Sequence, residues 1–115
     1  MKCPYCHQNA KWCENKEKYG RNYGRSYMCY YCQPCDAYVG CHKNSRKALG
    51  TMANKELREL RKKCHALFDP LWKSGKMKRN QAYQYLVDVT GVKHIAWTNK
   101  NECLDIIKSL TDINL

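Results

Sequence analysis

Two pairs of cysteines in this chain have the spacing of metal ligands. They are Cys3-Pro4-Tyr5-Cys6 and Cys32-Gln33-Pro34-Cys35. A single tight turn lets both sulfurs of a pair hold one ion, and zinc prefers four tetrahedral ligands at about 2.3 Å. The 25 residues between Cys6 and Cys32 are enough for a β-hairpin. The spacing therefore predicts a zinc ribbon in which these four thiolates hold a structural Zn²⁺ ion, because such a site has no open position for water.

Cysteine pairs also form disulfides, so the redox compartment decides between the two interpretations. The chain has nine cysteines, an odd number, and Met1-Lys2 leads directly into Cys3 without the apolar segment of a signal peptide. We therefore expect a reducing, cytoplasmic location, in which paired cysteines act as metal ligands.

Three further cysteines precede residue 42 and lie outside the predicted site. These are Cys13, Cys29 and Cys41. Free cysteine is often a small buried residue, and facing strands would accommodate that role. Two alternatives remain open: a second metal site that includes His7 or His42, and replacement of a ligand by Cys29, which stands three positions before Cys32.

The chain of 115 residues is strongly basic, with a net charge of +11. Residues 1–50 hold nine Lys and Arg against three acids, and residues 51–115 hold twelve against seven. This balance favours a polyanionic partner, usually nucleic acid, although solvated surface charge gives the same composition. No apolar run approaches the roughly 20 residues that span a membrane, so we expect no membrane contact.

Composition divides the chain into two parts. Seven of nine cysteines and seven of nine tyrosines lie before residue 42, whereas Leu and Ile concentrate after residue 48. The first part has little apolar material for a core, so metal would supply its folding free energy. We predict a zinc ribbon over residues 1–48 and a helical bundle over 52–115.

Alternation and turn residues predict three short antiparallel strands in the first part. The predicted strands are Ala10–Glu14, Ser26–Tyr31 and Ala37–His42. Between the first two strands, residues 15–25 are rich in Gly, Asn, Lys, Arg and Tyr, which predicts a turn at the tip of the ribbon.

Helical periodicity predicts three or four helices in the second part. They begin near Asn54, at Pro70, at Arg79 and after a cap at Thr98 or Asn99. The residues predicted to face inward are Leu57, Leu60, Cys64, Leu67, Phe68, Ala82, Tyr85, Leu86, Val89, Cys103, Ile106, Ile107 and Leu110. Trp72 and Trp97 either fill this core or form an exposed surface that binds another protein. The fold class is α+β.

Two groups of cations and aromatic rings are candidate nucleic-acid contacts, because cations meet phosphates and tyrosines stack on unpaired bases. The first group comprises Lys16, Lys18, Tyr19, Arg21, Tyr23 and Arg25. The second comprises Lys76, Lys78 and Arg79, with Lys73 alongside. Ordinary solvated turns and aromatic packing within the ribbon are the competing interpretations.

No catalytic constellation stands out, so we predict that the protein is not an enzyme. His65 and Asp69 lie four positions apart on a predicted helix and, with His94, are the candidates for a catalytic or metal-binding trio. Such a pair is more often a surface or capping contact. His42 and Asn44 suggest a nuclease of the His-Asn-His type, but the following helix offers His65 without a matching partner.

Several blocks together resemble a family of small zinc-finger-containing proteins found mostly in phages and prophages. The blocks are Cys3–Cys6, Cys32–Gly40, Leu49–Asn54, His65–Lys73, Arg79 with Ala82-Tyr83, and His94-Ile95 before a final helix with Cys103. The resemblance implies a zinc finger on Cys3, Cys6, Cys32 and Cys35 followed by a helical segment, and a host cell cytoplasm as location. Cys41 departs from the small hydroxyl residue expected before His42, which keeps the other ligand sets open.

These observations favour a zinc-binding module that binds nucleic acid through a basic, tyrosine-bearing face. Sequence preference would be weak, since no recognition helix with base-reading residues stands out. The alternative is a phage effector that binds an acidic patch on a host protein and inhibits it, for example in an anti-phage defence system.

Overall fold

The structure is a computed structural model that describes residues 1–22, 24 and 26–113. Its contacts divide the chain into Met1–Glu56, here the ribbon unit, and Leu57–Leu115, here the helical unit. The domain limits read from composition, 1–48 and 52–115, stay a prediction. Strands and helices occur together, which confirms the α+β class.

The ribbon unit contains one three-stranded antiparallel sheet, as predicted. Its strands, in spatial as well as chain order, are β1 (Lys11–Glu14), β2 (Met28–Cys32) and β3 (Ala37–Gly40). The central strand places Cys29 opposite Cys13 on one side and opposite Gly40 on the other. Cys32 ends β2, so the second cysteine pair lies in the turn between β2 and β3.

A one-turn helix, α1 (Lys16–Tyr19), lies in the segment that the sequence predicts to be only a turn. The carbonyl of Asn15 accepts hydrogen bonds from the amides of Lys18 and Tyr19, and Gly20 ends the helix with a φ of 83°. Four residues are too few to show a 3.6-residue apolar period, so the pattern that detects longer helices is absent here.

The core of the ribbon unit is thin and rich in small residues. Its buried cluster consists of Cys3, Cys32, Ala37, Val39, Ala48 and Met52. Two of these six are predicted metal ligands, and two are alanines. Other buried residues of the unit, namely Cys13, Cys29, Cys41 and Ala53, are also small. Small side chains bury little apolar area and stabilise a fold weakly, which agrees with the expectation that metal binding contributes to folding.

Over its described residues, the helical unit contains three helices of 12 to 14 residues and one helix of four residues. They are α2 (Lys55–Phe68), which begins two residues before the unit boundary, α3 (Pro70–Lys73), α4 (Arg79–Thr90) and α5 (Lys100–Ile113). A 3₁₀ turn, Ile95–Trp97, precedes α5. Across the described part of the chain, no helix combines the length and apolar character that crossing a bilayer requires.

Most of the predicted inward residues are buried, but the prediction for Val89 is wrong. The structure also shows which of the two alternatives for Trp97, buried or exposed, is correct. Val89, predicted to face inward, is 43% exposed, whereas Val92, just beyond Gly91 at the end of α4, is buried. Trp97 is 53% exposed while Ile95 is buried. Side chains two positions apart in a 3₁₀ turn point about 120° away from each other, so only one of them faces the core.

Candidate metal centre

The four cysteines of the two pairs converge on one point of the ribbon unit. The sulfurs of Cys3, Cys6, Cys32 and Cys35 all lie within 4.8 Å of one another. The Cys6 and Cys32 sulfurs are 3.7 Å apart. A tetrahedron with Zn–S bonds of about 2.3 Å has sulfur–sulfur edges of about 3.8 Å, so the spacing and the donor chemistry both fit zinc.

The two turns share a left-handed residue after the second cysteine but differ in the hydrogen bond that closes them. The His7 amide donates to the Cys3 carbonyl at 2.9 Å, and the Asp36 amide donates to the Gln33 carbonyl at 3.1 Å. His7 and Asp36, each directly after the second cysteine of its pair, have left-handed backbones with φ of 65° and 49°. Each turn thus reverses the chain immediately after its second ligand and brings both sulfurs to the same side.

The thiols of this cluster influence one another's ionisation. Burial raises the pKa of the Cys3 thiol. Hydrogen bonds from the backbone amides of Cys6 and Tyr5 and from the nearby thiols lower it by more, so the pKa falls to about 7. Burial and then the thiols of Cys6, Cys32 and Cys3 raise the pKa of Cys35 to about 12. One thiolate therefore forms readily and disfavours the next. A bound dication would remove that penalty, since thiolates are its ligands.

A four-thiolate set occupies all tetrahedral positions of the ion. No position is then left for a water nucleophile or a substrate oxygen, so such a site acts in folding rather than in hydrolysis. The neighbouring thiols also affect the ionisation of Cys32. The Cys35 amide lowers the pKa of Cys32, but burial and the thiols of Cys6 and Cys3 outweigh that effect and raise it.

The surplus cysteines lie apart from this cluster. Cys13 and Cys29 face each other across β1 and β2 with their sulfurs 4.0 Å apart, and burial raises the pKa of Cys29 to about 12. Cys41 is buried, and its thiol lies 3.9 Å from the Arg46 carbonyl. Among the described residues, no second set of three His, Cys, Asp or Glu ligands comes equally close together.

The sequence pattern of a family described as a zinc-finger-containing domain matches residues 1–113. The chain belongs to this family. No curated protein and no solved structure matches it. This zinc-finger-containing domain therefore covers both units, and the four-cysteine cluster is its candidate metal centre.

The first group of predicted nucleic-acid contacts lies in and after α1, where two cations have acidic partners. Lys18 is only 13% exposed, and its ammonium is 2.6 Å from Asp36 and lies over the Tyr31 ring. The ammonium of Lys16 is 3.4 Å from Glu14. Lys18 therefore holds α1 against the sheet, a role that the charge pattern alone does not reveal.

The remaining members of the first group differ in exposure. Tyr19 is 45% exposed and packs edge-on against Tyr38, with ring centroids 5.8 Å apart. Arg21 is exposed. Tyr23 and Arg25, also predicted contacts, lie outside the described residues.

The second group of predicted contacts, in the helical unit, is exposed. Lys76, Lys78 and Arg79 all lie on the surface where α4 begins. The Arg79 guanidinium lies over the rings of Trp72 and Tyr83, at 5.3 and 5.6 Å from their centroids. Sequence reasoning missed these two aromatic partners because their approach depends on how α3 packs against α4.

The candidate catalytic residues do not share one depression. His65 Nδ1 is 3.5 Å from Asp69 Oδ1, and both line a depression beside Lys73. His94 lines another depression with Arg79, Asn80 and Tyr83. His65 and Asp69 form a surface contact at the end of α2. The absence of enzymatic activity stays a prediction.

Proposed function

We propose that this zinc-finger-containing domain is a non-enzymatic module that binds Zn²⁺ and nucleic acid. The observation that carries the proposal is a net charge of +11 combined with exposed cations that lie directly against aromatic rings, as Arg79 does on Trp72 and Tyr83. Phosphates meet cations and unpaired bases meet rings, so one surface that offers both suits nucleic acid.

Zinc serves the module as a folding element. The ribbon core is thin, and four thiolates around one ion would tie the first turn of the chain to the β2–β3 turn. With every ligand position filled by sulfur, the ion takes no part in a reaction. The proposal therefore assigns affinity for nucleic acid to surface cations and rings.

The second group of contacts is the stronger candidate for phosphate binding. Lys16 and Lys18 have carboxylates within 3.4 and 2.6 Å, and a phosphate would have to compete with them. Lys76, Lys78 and Arg79 are exposed within four consecutive positions. Arg21 and Tyr19 of the first group remain accessible and complete the proposed set of contacts.

A titration of the zinc-loaded full chain against labelled single- and double-stranded DNA and RNA, at low and physiological salt, tests the proposal. The triple variant Lys76→Gln/Lys78→Gln/Arg79→Gln should weaken binding by roughly tenfold or more, because it removes three candidate phosphate contacts. The control Lys62→Gln/Lys63→Gln/Lys108→Gln removes the same charge from exposed positions on α2 and α5 and should weaken binding much less.

Two outcomes would count against nucleic-acid binding. The first is an absence of binding by the unmodified protein at physiological salt. The second is an equal loss in both triple variants, which would reduce the effect to net charge. The first result would favour the alternative, an effector that binds an acidic patch on a host protein, and pull-down from host extract would then follow.

A further inference from the structure

Trp72 lies between two cations on the surface of the helical unit. The ammonium of Lys73 is 5.5 Å from the centre of the indole, and the Arg79 guanidinium is 5.3 Å from it. The guanidinium also lies 5.6 Å from the Tyr83 ring. Rings and cations thus alternate along the surface in the order Lys73, Trp72, Arg79 and Tyr83.

The Tyr83 ring is anchored from below by the core of the helical unit. Its centroid is 4.8 Å from that of Phe68, which is fully buried, and the two rings meet edge to face. On another side, the His94 imidazole lies 6.5 Å from Tyr83. A ring held in this way loses little conformational freedom when a ligand stacks on it, so binding there costs little entropy.

A depression of about 400 Å³ opens beside these rings. Its lining consists of Arg79, Asn80, Tyr83 and His94. The Oδ1 atom of Asn80 accepts a hydrogen bond from the Gln81 amide at 3.0 Å, which orients the side chain at the start of α4. The lining thus contains a planar cation, a carboxamide and two rings, and no acidic side chain.

Charge around the depression favours an anionic ligand. Residues 71–94 contain five Lys and Arg, namely Lys73, Lys76, Lys78, Arg79 and Lys93, against one acid, Asp88. Asp88 accepts a hydrogen bond from Gln84 at 2.9 Å. Asp69 also lies beside this surface, within 3.8 Å of Lys73 and 3.5 Å of His65.

We propose that this depression binds one unpaired nucleotide of a single-stranded nucleic acid. The base stacks on Tyr83 beside His94, the Asn80 carboxamide contacts the base edge, and Arg79 contacts the adjoining phosphate. The inference rests on the proposed function, and it deepens that function by naming the strand form and the residues that select it. In a duplex the base faces are already stacked on each other, so these rings would have nothing to bind.

Comparison of two tyrosines on the same helix tests the site. Tyr83→Leu removes the proposed stacking ring, and Tyr85→Leu removes a half-buried ring two positions away that does not line the depression. The probes are a labelled oligo-dT strand and the same strand paired with oligo-dA, at physiological salt. Tyr83→Leu should weaken binding of the single strand roughly five- to hundredfold, the range found for loss of one stacking ring. Tyr85→Leu should change the affinity for the single strand less than about twofold. A thermal melt of each variant shows that it is folded, so that the two affinities can be compared.

Tyr83→Phe keeps the ring and its packing on Phe68, so it should retain wild-type affinity. Equal losses in both leucine variants, or equal losses for the single strand and the duplex, would overturn the nucleotide site. If the wild type binds and Tyr83→Leu binds as tightly, the site is refuted while nucleic-acid binding itself stands. If the wild type binds no nucleic acid, the proposed function and the site fail together.

Discussion

Individual cysteines in this chain have very different chemical environments. Cys64 of α2 is fully buried, and its thiol donates to the Cys103 carbonyl at 3.5 Å. Burial and then the neighbouring Cys103 thiol raise the pKa of Cys64 to about 12. A thiol in that position packs as a small apolar group, whereas the sulfurs of the candidate metal centre lie together, where a bound cation would stabilise their thiolates.

We predict that Cys64 is alkylated slowly in the folded protein. At pH 8 a thiol with a pKa near 12 is ionised in only about one molecule in ten thousand, against about a quarter for an ordinary thiol. Iodoacetamide treatment of the native protein, followed by peptide mass spectrometry, should leave Cys64 unmodified while denatured protein reacts fully. Equal rates in native and denatured protein would show that this cysteine is not buried.

At the scale of single elements, helix ends follow from local chemistry that is visible in the sequence. Asn99, one of the two predicted caps, forms a capping box with Glu102: the amide of Asn99 donates to the Glu102 side chain at 3.0 Å, and the amide of Glu102 donates to the Asn99 side chain at 2.9 Å. Gly91 ends α4 with a φ of 74°, and Pro70 begins α3. These features involve neighbours within a few positions, which is why they could be predicted.

Loss of the Asn99 cap should destabilise α5. Asn99→Ala removes the acceptor for the Glu102 amide and should lower the free energy of unfolding by about 1 kcal/mol. Asn101→Ala, inside the first turn of α5 and exposed, is the matched control and should be neutral or slightly stabilising. Chemical denaturation of the zinc-loaded protein measures both, and equal effects of the two substitutions would contradict the capping role.

Elements that depend on tertiary packing were not predictable. The helix α1 is fixed by the Lys18–Asp36 ion pair and by packing of Tyr19 on Tyr38, contacts between residues about 18 positions apart. Val89 has the period of an inward residue, yet it is exposed, and the next buried apolar side chain is Val92, beyond Gly91. Periodicity reports which face of a helix is apolar, but it does not report where the core ends.

At the scale of the whole molecule, charge is spread over both units. Residues 1–50 carry a net charge of +6, and residues 51–115 carry a net charge of +5. The cysteine cluster was predictable because its ligands come in two local pairs with a fixed spacing. The surface of Trp72, Arg79 and Tyr83 was not, since it requires α3 and α4 to pack together.

Binding to nucleic acid should depend steeply on salt. For a single strand, the logarithm of affinity falls with the logarithm of salt concentration by roughly 0.7 per phosphate contact. If Lys76, Lys78 and Arg79 each contact one phosphate, replacing all three with Gln should lower that slope by roughly 2. Titrations at several salt concentrations measure the slope, and an unchanged slope would exclude these residues as phosphate contacts.

The zinc content of three purified proteins tests whether Cys3, Cys6, Cys32 and Cys35 hold a structural ion. Elemental analysis should find one zinc per chain in the wild type and in Cys29→Ala, and much less in Cys32→Ala. Cys29 and Cys32 are both buried and lie in the same strand, so the two substitutions are closely matched. A wild type without zinc, or a Cys29→Ala variant that loses it while Cys32→Ala retains it, would contradict the account.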